Sequence, residues 1–387
     1  VDNGVSALEE AEYAASLGLD LVITDHHRAG ETLPHAAAIV DAHRPDSTCP
    51  FCDLSGVGVA FYLAAALEGD AQALMDDYAD LVALGTVADV VPLHGENRRM
   101  VRYGLQRINA NSRPGLMALR AAAGFAEKPL TAGSIAFTLA PRINAAGRMG
   151  SAQRALHLLL SEEEEEAASL AEEVCQTNAL RQETEGEILR EVERQLDEHP
   201  QRRFDRVLVV AGEGWHEGVK GIVASRLVNT YGVPALLFTI DGDEARGSGR
   251  SVGNVNLFEA VESISYLTKR FGGHGAAVGV TIPTKNLKAF AQRLDAYMQK
   301  LPEAAFHPLT GVDALVSLDE LTLESVALVE RLAPFGQENP QPTFLARNVT
   351  LVNTRAVGQT KDHFACTLTN GRASVAGIMF HLSLIHI

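Results

Sequence analysis

The chain has 387 residues, 46% of them hydrophobic, and a formal net charge of −16. That length suits two or three domains with sizeable cores, and no apolar run approaches the ~18 residues of a membrane span. Four cysteines in so long a chain exclude a disulfide scaffold and point to a reducing, cytoplasmic setting.

Residues 1–160 alternate helical and strand patterns, which implies a largely parallel α/β sheet. Ser6 is placed to cap a helix running to about Ser16, with Glu9 completing a capping box. The apolar run 19–24 predicts a buried parallel strand, and Ile39-Val40 a short one. Apolar helices are predicted from Gly58 to about Leu67 and from Tyr78 to Leu84. Cys49 and Cys52 form an isolated pair without the second pair that a zinc ribbon needs.

Residues 161–200 read as one long solvated helix with an apolar stripe at Ile188, Val192 and Leu196. Glu162–Glu166 suit its first turn, where the helix dipole favours negative charge. Gly186 costs such a helix about 1 kcal/mol. This segment carries 14 acidic and 3 basic side chains, so the rest of the chain is near −5. The overall acidity therefore does not exclude a phosphate-bearing partner, because local basic clefts bind phosphate on acidic proteins.

Residues 201–302 predict a second α/β unit: a strand at Val207–Val210, a helix from about Val219 to Asn229, a strand from Pro234 to Ile240 and a terminal helix from Leu287 to Lys300. Trp215 reads as a core residue. From 303 onward, Phe344–Val352 and Phe364–Leu368 alternate at period two and Val375–Phe380 is a third apolar run. This suggests a small OB-type β-barrel.

Three segments carry metal-type ligands after apolar runs: Asp2 in Val-Asp-Asn-Gly, the triplet Asp25-His26-His27, and Asp89 in Leu-Gly-Thr-Val-Ala-Asp. Open α/β sheets place ligands at the C-terminal ends of strands. Oxygen and nitrogen donors without thiolate suit Mn²⁺ or Mg²⁺. If the strands are neighbours, Asp2, His26 and Asp89 converge, as in two-metal phosphoryl-transfer sites. Taken singly, each residue also reads as a cap, turn or surface side chain. Arg142, Asn144 and Arg148 lie in a small-residue segment expected to be a compact loop. Guanidinium forks match phosphate oxygens. Gly247–Ser251, with Ser248 and Arg250, and Phe271–Gly279, with His274, read as two further phosphate-type loops.

Val1–Gly4, Asp25-His26-His27 and Leu84–Asp89 together resemble the DHH phosphoesterase superfamily. Arg142–Arg148, Trp215–Arg226, Gly247–Ser251, Gly272–Gly279 and Pro334-Phe335-Gly336-Gln337-Glu338-Asn339-Pro340 narrow the resemblance to its single-strand-specific exonucleases. The resemblance implies a DHH domain over 1–160, a connecting helix over 161–200, a DHH-associated domain over 201–302 and a partial OB domain over 303–387. It implies two Mn²⁺ or Mg²⁺ ions and 5′-to-3′ hydrolysis of single-stranded DNA to mononucleotides, in repair and recombination. A single-strand-binding protein and a helicase would be the partners. Carried over by position, Asp2, His26 and Asp89 are metal ligands, and Asp25 orients the neighbouring imidazole. His27 lies beside the scissile phosphate or a metal. Arg142, Asn144, Arg148, Ser248, Arg250 and His274 contact phosphates. A DHH enzyme of short oligonucleotides and an inactive DNA-binding scaffold are the alternatives.

The segment Val1–Gly4 reads as a strand end whose strand is missing, and the family's upstream Asp-x-Asp is not seen. The OB pattern stops before its last strands, and the tail Leu382–Ile387 reads as non-native. On three ligands, the chain as written is expected to be inactive or nearly so.

Overall fold

A computed structural model describes residues 1–110, 112–307, 311–358, 361 and 363–380. The tail 382–387 lies outside the described residues. The chain packs as two compact units, one of residues 1–112, 128–140 and 311–387 and one of residues 113–127 and 141–310.

The first unit begins with α1 (Leu8–Ser16), β1 (Val22–Thr24) and β2 (Ala38–Val40). β1 and β2 pair in parallel, with Ile23 opposite Ile39. The expected capping box does not form: Ala7 is the N-cap and no side chain bonds there. Leu19 and Val22 are exposed while Ile23 is buried, so this strand is buried on one face only. Next come α2 (Gly56–Glu68), α3 (Ala71–Ala88) and α4 (Gly95–Ala110). α2 is capped by Ser55, whose hydroxyl accepts from the Gly58 amide at 3.2 Å. α3 packs on both α2 and α4, around Val59, Phe61, Val82 and Met100.

The second unit opens with α5 (Pro114–Ala122), its proline in the first turn, where a missing N–H costs nothing. The short α6 (Ala132–Ser134) and a π-helical turn (Ile135–Leu139), both of the first unit save for the junction, lead into α7 (Ala140–Met149). α8 (Gln153–Leu160) and α9 (Glu164–Glu198) follow. α5 and α8 pack on α9. Residues 141–160, read from sequence with the segments before them, thus fall in the unit of the long helix, and α8 buries Ala155 and Leu158. α9 runs unbroken through Gly186. Its buried stripe extends beyond Ile188, Val192 and Leu196 to Ala167, Ala171, Val174, Asn178, Arg181 and Glu185.

A five-stranded sheet forms the centre of this unit: β3 (Leu208–Glu213), β4 (Ala235–Asp241), β5 (Glu244–Arg250), β6 (Arg270–His274) and β7 (Ala277–Pro283), in the order β3-β4-β5-β7-β6. Only β3 and β4 are parallel. Alternation sorts its side chains. Leu208, Val210 and Leu237 face α9 and α10 (Glu217–Tyr231). Val209, Leu236 and Phe238 face α11 (Leu257–Glu262) and α12 (Leu287–Met298). Trp215 is buried in the first of these cores, and its Nε1 donates to Glu191 at 2.8 Å.

The remaining segment of the first unit holds β8 (Ala314–Leu315), α13 (Leu323–Glu330), β9 (Phe344–Leu345), β10 (Thr350–Val357), β11 (His363–Thr369) and β12 (Ser374–Met379). β8 pairs with β9. β10, β11 and β12 form an antiparallel meander, with an irregularity between Val352 and Arg355. Among the described residues this is a three-stranded sheet, and Leu351, Val352, Ile378 and Met379 on it are exposed.

Candidate active site

Strand β1 delivers Asp25 to the C-terminal edge of the parallel pair. There the Asp25 amide donates to Val40 O at 3.0 Å. The Asp25 side chain is buried. Its Oδ2 accepts the Val5 amide at 2.9 Å, and its Oδ1 accepts the His26 amide at 2.8 Å. Burial alone would raise its pKa. The Val5 amide, the His27 ring and the amides of His26 and His27 outweigh that and hold the carboxyl at about 2. The imidazole that Asp25 orients is His27's, with Nδ1 at 2.7 Å from Oδ1. It does not hold the ring of His26, the expected ligand. That hydrogen bond raises the His27 pKa, against the effect of burial.

His26 turns the other way. Its Nε2 is buried and has no hydrogen bond of good geometry among the described residues, yet lies 3.0 Å from Asp2 Oδ1 and 3.4 Å from Asp89 Oδ2. Ligand atoms of Asp2, His26 and His27 all fall within 4.8 Å of one another. Asp2 is held by its amide, which donates to Thr24 O at 2.7 Å. Its φ is +57°, a region Asp tolerates better than most residues. Asp89 reaches the cluster as the C-cap of α3, not from a strand end as expected. Burial, with the charge of Asp2, pushes the Asp89 carboxyl up, partly countered by His26. A buried imidazole nitrogen facing two carboxylates is an arrangement a hard divalent cation completes. The residues present fit a metal.

Two contributors escaped the sequence reading. Gly56 opens α2 where a Cβ would collide with the Asp2 carboxylate. Asp41 ends β2 as Asp25 ends β1. It is buried, with Oδ2 unpartnered among the described residues. The apolar pair Ile39-Val40 just before it was the available signal.

In the second unit, the segment expected to be an arginine loop is the helix α7, with Asn144 and Arg148 exposed on it and Arg142 partly buried. Small Ala145 and Ala146 are buried, so this composition serves helix packing. The expected glycine loops are strands. Gly247 and Gly249 lie on β5 and their buried face accepts Phe238 and Val278 closely. Period-two alternation then puts Ser248 and Arg250 together on the opposite face. Arg250 Nη1 donates to Ser248 Oγ at 3.3 Å, beside Gly221 of α10. Arg148 donates to Gly218 O at 3.3 Å, also on α10. Burial lowers the Arg250 pKa, and the charge of Arg148 lowers it further. These two cations are thus held close without a carboxylate among the interactions that set that shift. His274 sits at the exposed β6–β7 turn, its Nδ1 accepting the Ala276 amide at 3.3 Å.

Comparison with known proteins gives the family. Residues 1–86 match the DHH family N-terminal domain, residues 205–300 the DHHA1 domain and residues 312–385 the RecJ OB domain. A relative from Escherichia coli, "Single-stranded-DNA-specific exonuclease RecJ", is 35% identical over 99% of this chain and 70% of its own length. The chain belongs to the RecJ family. The Bacillus subtilis RecJ is 40% identical over 98% of this chain, which spans 48% of that relative. The crystal structure of Thermus thermophilus RecJ in complex with Mn²⁺ superposes with a TM-score of 0.81 at 34% identity, covering 97% of this chain and 55% of that one. A second Thermus RecJ structure, in complex with Mg²⁺, gives a TM-score of 0.71 at 32% identity over 95% of this chain and 58% of that one. Among the described residues, no helix is long and apolar enough to cross a membrane.

Proposed function

We propose that this RecJ-family chain serves a single-stranded-DNA-specific exonuclease that hydrolyses phosphodiester bonds from the 5′ end and releases 5′-mononucleotides. The observation that carries the reading is the buried Nε2 of His26 set between the carboxylates of Asp2 and Asp89. Mn²⁺ or Mg²⁺, as two ions, is the cofactor this donor set suits, and such ions supply an activated water and neutralise charge on the transferring phosphoryl group. Asp2, His26 and Asp89 are the ligands. Asp25 fixes the His27 ring, which places that ring to hold a proton or a phosphate oxygen at the same edge. Arg148, Ser248 and Arg250 bind phosphates of the strand, with Arg142, Asn144 and His274 contributing from neighbouring elements. The OB segment holds the strand further along by basic contacts and base stacking. The presence of that segment favours long single strands over the short oligonucleotides of other DHH enzymes. Retention of Asp25, His26, His27 and Asp89 disfavours an inactive scaffold. A cytoplasmic setting, and a single-strand-binding protein and a helicase as partners in repair and recombination, belong to the same proposal.

Three ligands for two hard cations fall well short of the about six each usually takes. Weak hydrolysis by the chain as written is therefore part of the proposal. The test incubates end-labelled single-stranded DNA and Mn²⁺ with this chain, and with the same chain preceded by the N-terminal region of the Bacillus subtilis relative. Stepwise release of mononucleotides from the 5′ end by the longer form is expected. Asp89→Ala should lower its rate at least a hundredfold and leave strand binding within about threefold of wild type. Cleavage confined to very short oligonucleotides would overturn the substrate assignment. Equal loss of binding and cleavage would remove Asp89 from the ligand set. Arg250→Ala should raise KM far more than it lowers kcat if the residue only positions phosphate.

A further inference from the structure

The segment after Asp89 is unusual. Val90 has φ +60°, a conformation that is strained for a β-branched residue and persists only when its surroundings impose it. From Val90 the chain runs through Val91, Pro92, Leu93 and His94 to α4. One side of this connection is tied down by Asn97, a fully buried residue whose Nδ2 donates to Pro92 O at 3.0 Å and also to Asp53 O. The other side is covered by Pro334–Pro340, a motif that the proposed chemistry has not used. The Leu93 amide donates to Gln337 O at 2.7 Å. His94 Nε2 lies 3.5 Å from Glu338 Oε2 and 3.3 Å from Asp53 Oδ2. Arg98 Nη2 donates to Leu332 O at 2.9 Å and to Ala333 O at 3.0 Å.

The covering loop is braced by its own hydrogen bonds. Asn339 Nδ2 donates to Leu332 O at 3.1 Å and to Pro334 O at 2.7 Å, and the amide of Gly336 donates to Asn339 O at 2.9 Å. Gly336 seats directly on Leu93: a Cβ there would lie 2.6 Å from Leu93 Cδ1. Leu93 is buried by this contact.

We infer that the Pro334–Pro340 loop is a positioning element of the metal centre, which clamps Leu93 and His94 and so holds Asp89 toward His26. Gly336, Glu338 and Arg98 are positioning residues: they touch neither substrate nor metal and act through the 90–94 connection. The loop sits in the OB segment, so strand-holding and metal-holding parts of the chain share one rigid element. The inference rests on the metal-centre reading above.

The test is made on the metal-free and Mn²⁺-loaded chain with the variants Gly336→Ala and Arg98→Ala. Amide hydrogen exchange of the metal-free protein is expected to accelerate at least tenfold over residues 89–94 in both, with the β3–β7 sheet unchanged. Calorimetric titration should show Mn²⁺ affinity falling about tenfold, in the range for loss of a group that orients a ligand. Glu338→Gln should give a smaller loss in the same direction. Faster exchange at Leu93 with unaltered Mn²⁺ affinity would reduce the loop to a structural contact and overturn the inference, as would unchanged exchange over 89–94. If Gly336→Ala does not fold, Arg98→Ala alone decides. A wild-type chain that binds no Mn²⁺ would sink the metal-centre reading instead, and the exchange comparison would still show whether the loop restrains Asp89.

Discussion

Asp25 shows how one buried carboxylate can organise the residues around it through its hydrogen bonds. It accepts from three backbone amides and meets the His27 ring, and its pKa falls from 3.8 to about 2. A depressed carboxyl stabilises the fold fully above its unfolded value, and that stabilisation is lost as pH falls toward 2. Asp25→Asn should therefore cost about 1–3 kcal/mol near neutral pH and much less at pH 2. Urea unfolding at a series of pH values would show the two curves converging on acidification; parallel curves would contradict the assignment. At this scale the triplet stood out as a candidate because a carboxylate and two imidazoles follow an apolar run, although singly each also reads as a cap or surface residue. Asp89 was a candidate ligand from its sequence, but its place as a helix cap was not readable, since Gly85–Ala88 fits a helix end or a strand equally well. Gly56 was not readable at all: its neighbour is Asp2, more than fifty positions earlier, and only the packed structure brings them together.

Among the elements, the long helix was the plainest in the sequence, and its burial was the least plain. Acidic composition suggested a solvated rod. In the structure one face of α9 is covered along most of its length, and it buries Glu185 with Arg181, whose Nη1 lies 2.9 Å from Oε2. Arg226 of α10 pairs with the same carboxylate from a more exposed position. Removing one member of a buried pair leaves the other charge unsolvated, so Glu185→Ala should cost about 3–5 kcal/mol. Arg226→Ala should cost under about 1 kcal/mol. Equal effects in chemical denaturation would show that burial is not what matters at Glu185. The glycine-rich segments show the opposite failure. Glycine runs were read as loops, yet they are strands. Glycine allows φ > 0, but on β5 it is used for close packing, with the Phe238 ring laid over Gly247. Sequence alone does not separate those two uses. The same holds for Arg142–Arg148, where small residues serve a buried helix face.

For the molecule as a whole, net charge is a poor guide to its partner. At −16 the chain should repel DNA at long range, and the proposed contacts act only locally. Single-strand affinity should still fall with salt, with a slope of about −0.7 per neutralised phosphate. Arg250→Ala should flatten that slope by about that amount, measured by fluorescence anisotropy from 50 to 300 mM salt. A slope unaffected by the substitution would place Arg250 away from the strand.

The order in which the chain visits its two units has a further consequence, for synthesis. The first unit is assembled from residues 1–112, 128–140 and 311 onward, whereas all of the second unit lies between residues 113 and 310. A ribosome therefore releases every residue of the second unit before it releases the OB segment of the first. Asp2, His26 and Asp89 are made before the second unit, yet the loop that covers the Asp89 connection is made after it. A nascent chain would hold a folded second unit while the Asp89 connection was still uncovered.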